Sequence, residues 1–217
     1  MLIVFTPFSS AIDITLTKHF YLQNTEGTYA FAESPFIKFF YDYGEYPAFA
    51  VGALASALWL ISYKVQKIAK WRPAFLHLML TLILAAGIIT NGLLKEYWGR
   101  PRPKQTIEFG GKHQFHPWYQ YDFAHRDESL KSFPSGHAIM GYYFLAFVVI
   151  GQYYRKEWLT WLGVVGGLGL GGILSFIRIA QGGHFISDTL MSALVAWICI
   201  LIIGWYCFGR RAVKPVG

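Results

Sequence analysis

Five uncharged stretches set the pattern of the chain: residues 47–63, 74–94, 138–154, 158–177 and 189–209. A soluble chain of this length would interrupt such runs with polar residues for its outward faces. A hydrocarbon core of ~30 Å takes about 20 helical residues, so each run predicts a transmembrane helix, the two 17-residue runs being the shortest. Residues 1–12 are also uncharged, but the run stops at Asp13. That segment lacks the positive head and small-residue cleavage site of a secretory signal and reads as a short or partial first helix, or as an apolar segment packed at the membrane edge. Residues 33–46 mix Phe36, Phe39, Phe40, Tyr41, Tyr43 and Tyr46 with charges, as a membrane–water interface does. The predicted fold is all-α: an integral membrane helical bundle with five clear transmembrane helices and a sixth candidate in residues 1–17.

Charge orients this bundle. Lys64, Lys67, Lys70 and Arg72 fill one short loop, Arg155 and Lys156 another, and Arg210, Arg211 and Lys214 the tail. With these in the cytoplasm the spans alternate consistently, and segments 95–137 and 178–188 share the opposite face. Segment 95–137 is itself basic, but the rule weighs short loops. The formal charge of +7 does not indicate nucleic acid, because no aromatic–basic binding module accompanies it. Apolar residues make up 54% of the chain and charged ones 14%, and no linker or low-complexity tract divides it, so residues 1–217 read as one domain. Cys199 and Cys207 are eight residues apart on one predicted helix, a backbone separation of ~12 Å and too far for a disulfide. Gly167, Gly169 and Gly172 match the spacing of a dinucleotide-binding motif, but no strand precedes them. Gly163, Gly167 and Gly171 instead recur on one helix face, where a neighbouring helix can approach closely.

This topology brings distant polar clusters to one surface. Lys95 ends one span, His137 precedes the next, and one crossing each way returns the chain to Arg178. His184 and Asp188 are four residues apart at the predicted start of the last helix, so the carboxylate can fix the imidazole tautomer. The other ring nitrogen is then a nucleophile for phosphorus. Arg178 offers paired planar donors to phosphate oxygens. Pro134 halts any preceding helix, and Ser135-Gly136 opens a new one whose N–H groups and serine hydroxyl can hold phosphate. His137, when protonated, can serve as acid to the departing oxygen. Lys95 and Arg102 can neutralise the transferring group, and so can Arg100 and Lys104; spacing alone does not choose among them. The inventory suits phosphoryl transfer through a phosphohistidine without metal or other cofactor. His113, His116 and His125 lack metal-ligand spacing.

Lys95 with Arg102-Pro103, then Pro134-Ser135-Gly136-His137, then Arg178, His184 and Asp188 resemble the three motifs of the type 2 phosphatidic acid phosphatase family. They span 95–188. The resemblance implies a helical bundle with His184 as nucleophile, Asp188 as its partner and His137 as acid. It selects Lys95, Arg102 and Arg178 as phosphate cations, beside Ser135 and Gly136. Ile177 departs from the pattern, where the family usually has serine.

Trp98-Gly99-Arg100-Pro101-Arg102-Pro103 and Gln181-Gly182-Gly183-His184-Phe185 look similar to bacterial lipid A phosphatases. The expected substrate is therefore a lipid phosphate, lipid A foremost, at a site facing the periplasm from a bacterial inner membrane. Phosphatidylglycerophosphate and undecaprenyl pyrophosphate phosphatases share the motifs. A vanadate-dependent haloperoxidase and a non-catalytic lipid binder or transporter are the other classes consistent with them. The aromatic loop 115–121 is placed to cover a lipid head or to rest among headgroups. Nothing in the sequence sets the oligomeric state.

Overall fold

The computed structural model describes residues 2–23, 29–121 and 130–209, with side chains from Phe8 onward. Helix α1 (Leu2–Lys18) leads through a short antiparallel hairpin, β1 (Tyr21–Gln23) and β2 (Tyr29–Phe31), into α2 (Pro35–Tyr43) and α3 (Tyr46–Ile61). After the turn α4 (Gln66–Ala69), α5 (Arg72–Thr81) continues through a π-helical stretch, Leu82–Leu94, into α6 (Lys95–Tyr97). A long loop then reaches α7 (Gly136–Tyr142), which passes through a 3₁₀ turn into α8 (Ala146–Tyr154). The chain ends with α9 (Glu157–Ala180) and α10 (Ile186–Phe208).

Four helices among the described residues are long and apolar enough to cross a membrane: Pro35–Ile61, Arg72–Tyr97, Glu157–Ala180 and Ile186–Phe208. The run 138–154 is helical too, but Tyr143–Leu145 tighten into 3₁₀ geometry and interrupt it. The molecule is a helical membrane bundle. Two local features bear on the site. Most of the aromatic segment 33–46 is helical: Ser34 caps α2 by accepting the Ile37 N–H at 3.2 Å, and α2 runs on into α3. The short hairpin accompanies the helical bundle, with Tyr21 packed against Phe31 and Phe109, a cluster formed only in three dimensions.

Small residues set the central spacing. Gly163, Gly167 and Gly171 of α9 are buried against Val148, Leu145 and Tyr142, and Gly141 of α7 lies directly on the Gly171 backbone. With no hydrophobic drive between helices in lipid, such backbone approach supplies the packing. The opposite face of α9 turns outward, with Trp161, Val165, Leu168 and Phe176 exposed. Because α7 and α9 are locked together, the first residue of α7 and the last turn of α9 hold a fixed relation. Cys199 and Cys207 are free thiols.

Candidate active site

The amino terminus of α7 forms one wall. The Ser135 hydroxyl accepts the Ala138 N–H at 3.3 Å and so caps the helix rather than standing open. Ser192 on α10 donates to the Ser135 carbonyl at 3.0 Å, tying this helix start to the last helix. A Cβ added at Gly136 would stand 3.4 Å from the Lys95 ammonium, which places Lys95 at the same helix start. Lys95 itself leans on Asn91 at 3.5 Å, and Asn91 donates to the Ala86 carbonyl at 2.8 Å within the π-helical stretch.

The opposite wall is the tight reversal between α9 and α10. Gly182 adopts φ +61°, open to glycine at little cost, and an added Cβ there would strike the Phe31 ring. Gly183 must also lack a side chain, because the Arg178 guanidinium occupies the space a Cβ would take. Arg178 is buried and donates to Gln181 at 2.9 Å. Its Nε and the Nε of Arg102 are buried donors without a partner. An unsatisfied guanidinium N–H is costly, and two of them beside Lys95 make a place for an anion. Partial burial, with Arg102 and Arg178 beside it, lowers the pKa of Lys104, which therefore belongs to the same positive field.

His184 lies one residue before the N-cap of α10, not on the helix itself, so its pairing with Asp188 does not arise from a shared helix face. Its Nδ1 donates to the Ser132 carbonyl at 2.6 Å, and the Asp188 carboxylate stands 3.7 Å from the same nitrogen. The backbone of the Ser132 loop, which the sequence reading did not include, thus fixes the tautomer directly. Asp188 is held in turn: Oδ2 accepts from the Ser132 hydroxyl at 2.6 Å and the Phe185 N–H at 2.9 Å. Burial holds the His184 pKa down to about 3, with nearby Arg178 adding to the effect against the support of Asp188. The imidazole is neutral at ordinary pH, and with Nδ1 carrying the proton, Nε2 has the free lone pair.

Behind this pair lies a buried ionic network. Arg100 is fully enclosed and pairs with Asp188, Asp13 (2.8 Å) and the Ser187 hydroxyl (2.8 Å), while its Nε donates to the His116 carbonyl at 2.9 Å. Asp13 accepts from the Ser187 hydroxyl at 2.6 Å and from its N–H at 3.0 Å. Arg100 therefore faces away from the anion place, and it is Arg102 that faces it. The first half of the loop 115–121 packs inward, while Tyr119 and Tyr121 are exposed: the Phe115 ring meets Phe185 edge-on, and the Trp118 carbonyl accepts the Trp98 indole N–H at 2.7 Å. Phe133 stacks on Trp98 at 4.4 Å.

His137 stands across the anion place, half-buried. Its Nε2 is 3.1 Å from the Tyr41 carbonyl and its Nδ1 is 3.1 Å from the Glu45 carboxylate. Neither Tyr41 nor Glu45 was a sequence candidate; both lie in the segment read as interfacial. Ile177, in the usual serine position, is buried against Ile37 and Ala180. No group of His, Cys, Asp or Glu among the described residues is arranged to hold a metal ion, and His125 lies outside those residues.

The structure thus draws Lys95, Arg102, Gly136, His137, Arg178 and His184 around one place, with Ser135 and Asp188 in support. Three relatives are similar to the chain in sequence. The chain is 29% identical over 153 residues to a lipid A 4'-phosphatase of Francisella tularensis subsp. novicida, 32% over 128 residues to one of Rhizobium leguminosarum, and 31% over 127 residues to one of Rhizobium etli. The matches take in 69%, 57% and 56% of this chain. The chain spans 64% of the Francisella relative's length and 52% and 46% of the Rhizobium relatives'. No solved structure matches it. The family model for the PAP2 superfamily matches residues 74–212, a region that contains all three motifs and both walls of the site: the chain belongs to the PAP2 superfamily.

Proposed function

We propose that the protein is a membrane lipid phosphatase that removes phosphate through a phosphohistidine on His184, with lipid A phosphate as substrate. The observation that carries the reading is the pair of unpartnered, buried guanidinium nitrogens of Arg102 and Arg178 beside a neutral His184. An anion with planar oxygen edges satisfies both donors, and the imidazole stands ready to attack its centre.

In this reading Nε2 of His184 forms the bond to phosphorus as the bond to the lipid oxygen breaks. Arg102, Arg178, Lys95 and the N–H groups opening α7 take the charge on the remaining oxygens. His137 gives the departing oxygen its proton and later takes one from the water that frees phosphate. Asp188, fixed by Arg100 and Ser132, supports the His184 ring as it becomes cationic. The fixed cations supply the charge stabilisation, so the reaction needs no metal ion.

The lipid A assignment rests on the names of the three relatives, and on a site at the end of a membrane bundle where a headgroup can arrive. The periplasmic side follows from the lysine- and arginine-rich short loops at the other end. Phosphatidylglycerophosphate and undecaprenyl pyrophosphate remain the competing substrates. The test is phosphate release by purified protein in detergent with lipid A, phosphatidylglycerophosphate, phosphatidic acid and undecaprenyl pyrophosphate, in chelator, with His184→Ala as the blank. Preference for lipid A supports the reading; silence on all four by folded protein favours a non-catalytic lipid binder.

A further inference from the structure

The junction of α2 and α3 places a carboxylate where the three motifs call for none. Glu45 stands near Lys95 and Arg178, and an acid there opposes phosphate unless its charge is committed elsewhere. Its Oε1 is 3.1 Å from Nδ1 of His137. The other ring nitrogen, Nε2, is 3.1 Å from the Tyr41 carbonyl, and the Tyr41 ring lies parallel to the imidazole with centroids 5.0 Å apart. A carbonyl and a carboxylate can only accept. An imidazole offers N–H to both only when it carries two protons.

Resting on the phosphatase reading, we propose that Glu45 is a positioning residue for His137: it holds the Nδ1 proton, so that the ring presents an Nε2 proton to the departing oxygen. The Tyr41 carbonyl occupies the direction from which that oxygen accepts. In the first half-reaction the His184 Nε2–phosphorus bond forms and the phosphorus–lipid oxygen bond breaks. The Nε2 proton of His137 passes to that oxygen, leaving a neutral ring whose Nδ1–H remains on Glu45. In the second, water bonds to phosphorus, the nitrogen–phosphorus bond breaks, and the water's proton returns to Nε2.

The charges facing this ring are Glu45 from the α2–α3 junction, Lys95 from α6, Arg102 from the loop and Arg178 from α9. Burial, and after it the three cations, disfavour the second proton when no phosphate is bound. A bound phosphate dianion offsets the cations, and Glu45 then tips the ring to its acid form. Neither Glu45 nor Tyr41 lies within the matched family region, 74–212. The proton-holding acid therefore comes from a segment that the motifs do not contain.

The experiment compares full-length wild type with Glu45→Gln, Glu45→Asp and His184→Ala in detergent, from about pH 5 to about pH 9. Two probes are used: dodecyl phosphate, whose alkoxide needs a proton to leave, and 4-nitrophenyl phosphate, whose leaving group does not. Glu45→Gln is expected to lower kcat/KM for dodecyl phosphate at least ~10-fold, and to move the alkaline limb of its profile down by about one pH unit. With 4-nitrophenyl phosphate the loss should stay under about twofold, and Glu45→Asp should recover part of the dodecyl phosphate activity. Equal losses on both probes with an unmoved alkaline limb would make Glu45 a mere latch for α2 and overturn the inference alone. Wild type inactive on both probes would overturn the phosphatase reading, and this inference with it.

Discussion

Asp13 and Asp188, near opposite ends of the chain, grip the same guanidinium, that of Arg100, with all three side chains fully buried. Ser187 closes the figure by donating to Asp13 and accepting from Arg100. This network fastens α1 to α10 and sets the carboxylate that faces His184. Its partners come from α1, the loop after α6 and the first turn of α10, so its strength is one of tertiary structure.

Removing one member leaves buried charge unpaired. Arg100→Met should destabilise the protein by about 3–5 kcal/mol, and Asp13→Ala by a comparable amount. The double variant Asp13→Ala with Arg100→Met should cost less than the sum of its single changes, because the shared interaction is lost once. Denaturation of the detergent-solubilised proteins measures this, and strict additivity would contradict the network.

Gly183 exists to make room for Arg178. Gly183→Ala should therefore reduce kcat/KM by on the order of 10²-fold while the protein remains folded, through displacement of the guanidinium. In an Arg178→Ala background the same glycine change should add little, since nothing is left to displace. Arg178→Lys should not restore activity, because an ammonium lacks the planar pair of donors. Steady-state kinetics of the four variants decides the point.

One face of α9 is packed against α7 and the other is not, which gives a contrast between glycines at the α7–α9 contact and glycines on the open face. Gly141→Val drives a side chain into the Gly171 backbone and should cost about 1–3 kcal/mol, with activity falling as α7 shifts against Arg178. Gly169→Val and Gly172→Val meet nothing within 4 Å and should leave both stability and activity near wild type. Thermal unfolding read alongside phosphate release separates the two classes.

Burial of neutral His184 predicts a pH effect on stability of known sign. The folded group binds its proton only near pH 3, against an ordinary value of 6.5, so the unfolded chain is protonated first as pH falls. The contribution is intact above pH 6.5 and declines toward pH 3 by about 1.4 kcal/mol per pH unit at most. His184→Asn should flatten the fall in stability across that window relative to wild type. Parallel curves for the two proteins would show that the ring is not buried neutral.

The sequence by itself determined the helical membrane class, because apolar runs of bilayer length admit few other folds. The loops at one end of those runs carry the candidate groups, and the resemblance to three family motifs picked out Lys95, Arg102, His137, Arg178, His184 and Asp188 among them. The role of Gly163, Gly167 and Gly171 was legible because a four-residue period on a helix is local. What spacing alone could not decide was which cation faces the anion and which faces the protein. Arg100 and Arg102 are two residues apart and chemically alike, and only the position of Asp13 on α1 and Asp188 on α10 turns Arg100 inward. The same holds for the carbonyl of Ser132 at His184, and for Tyr41 and Glu45 at His137. Those contacts join segments with no pattern in common, and burial and distance in the folded chain are what create them.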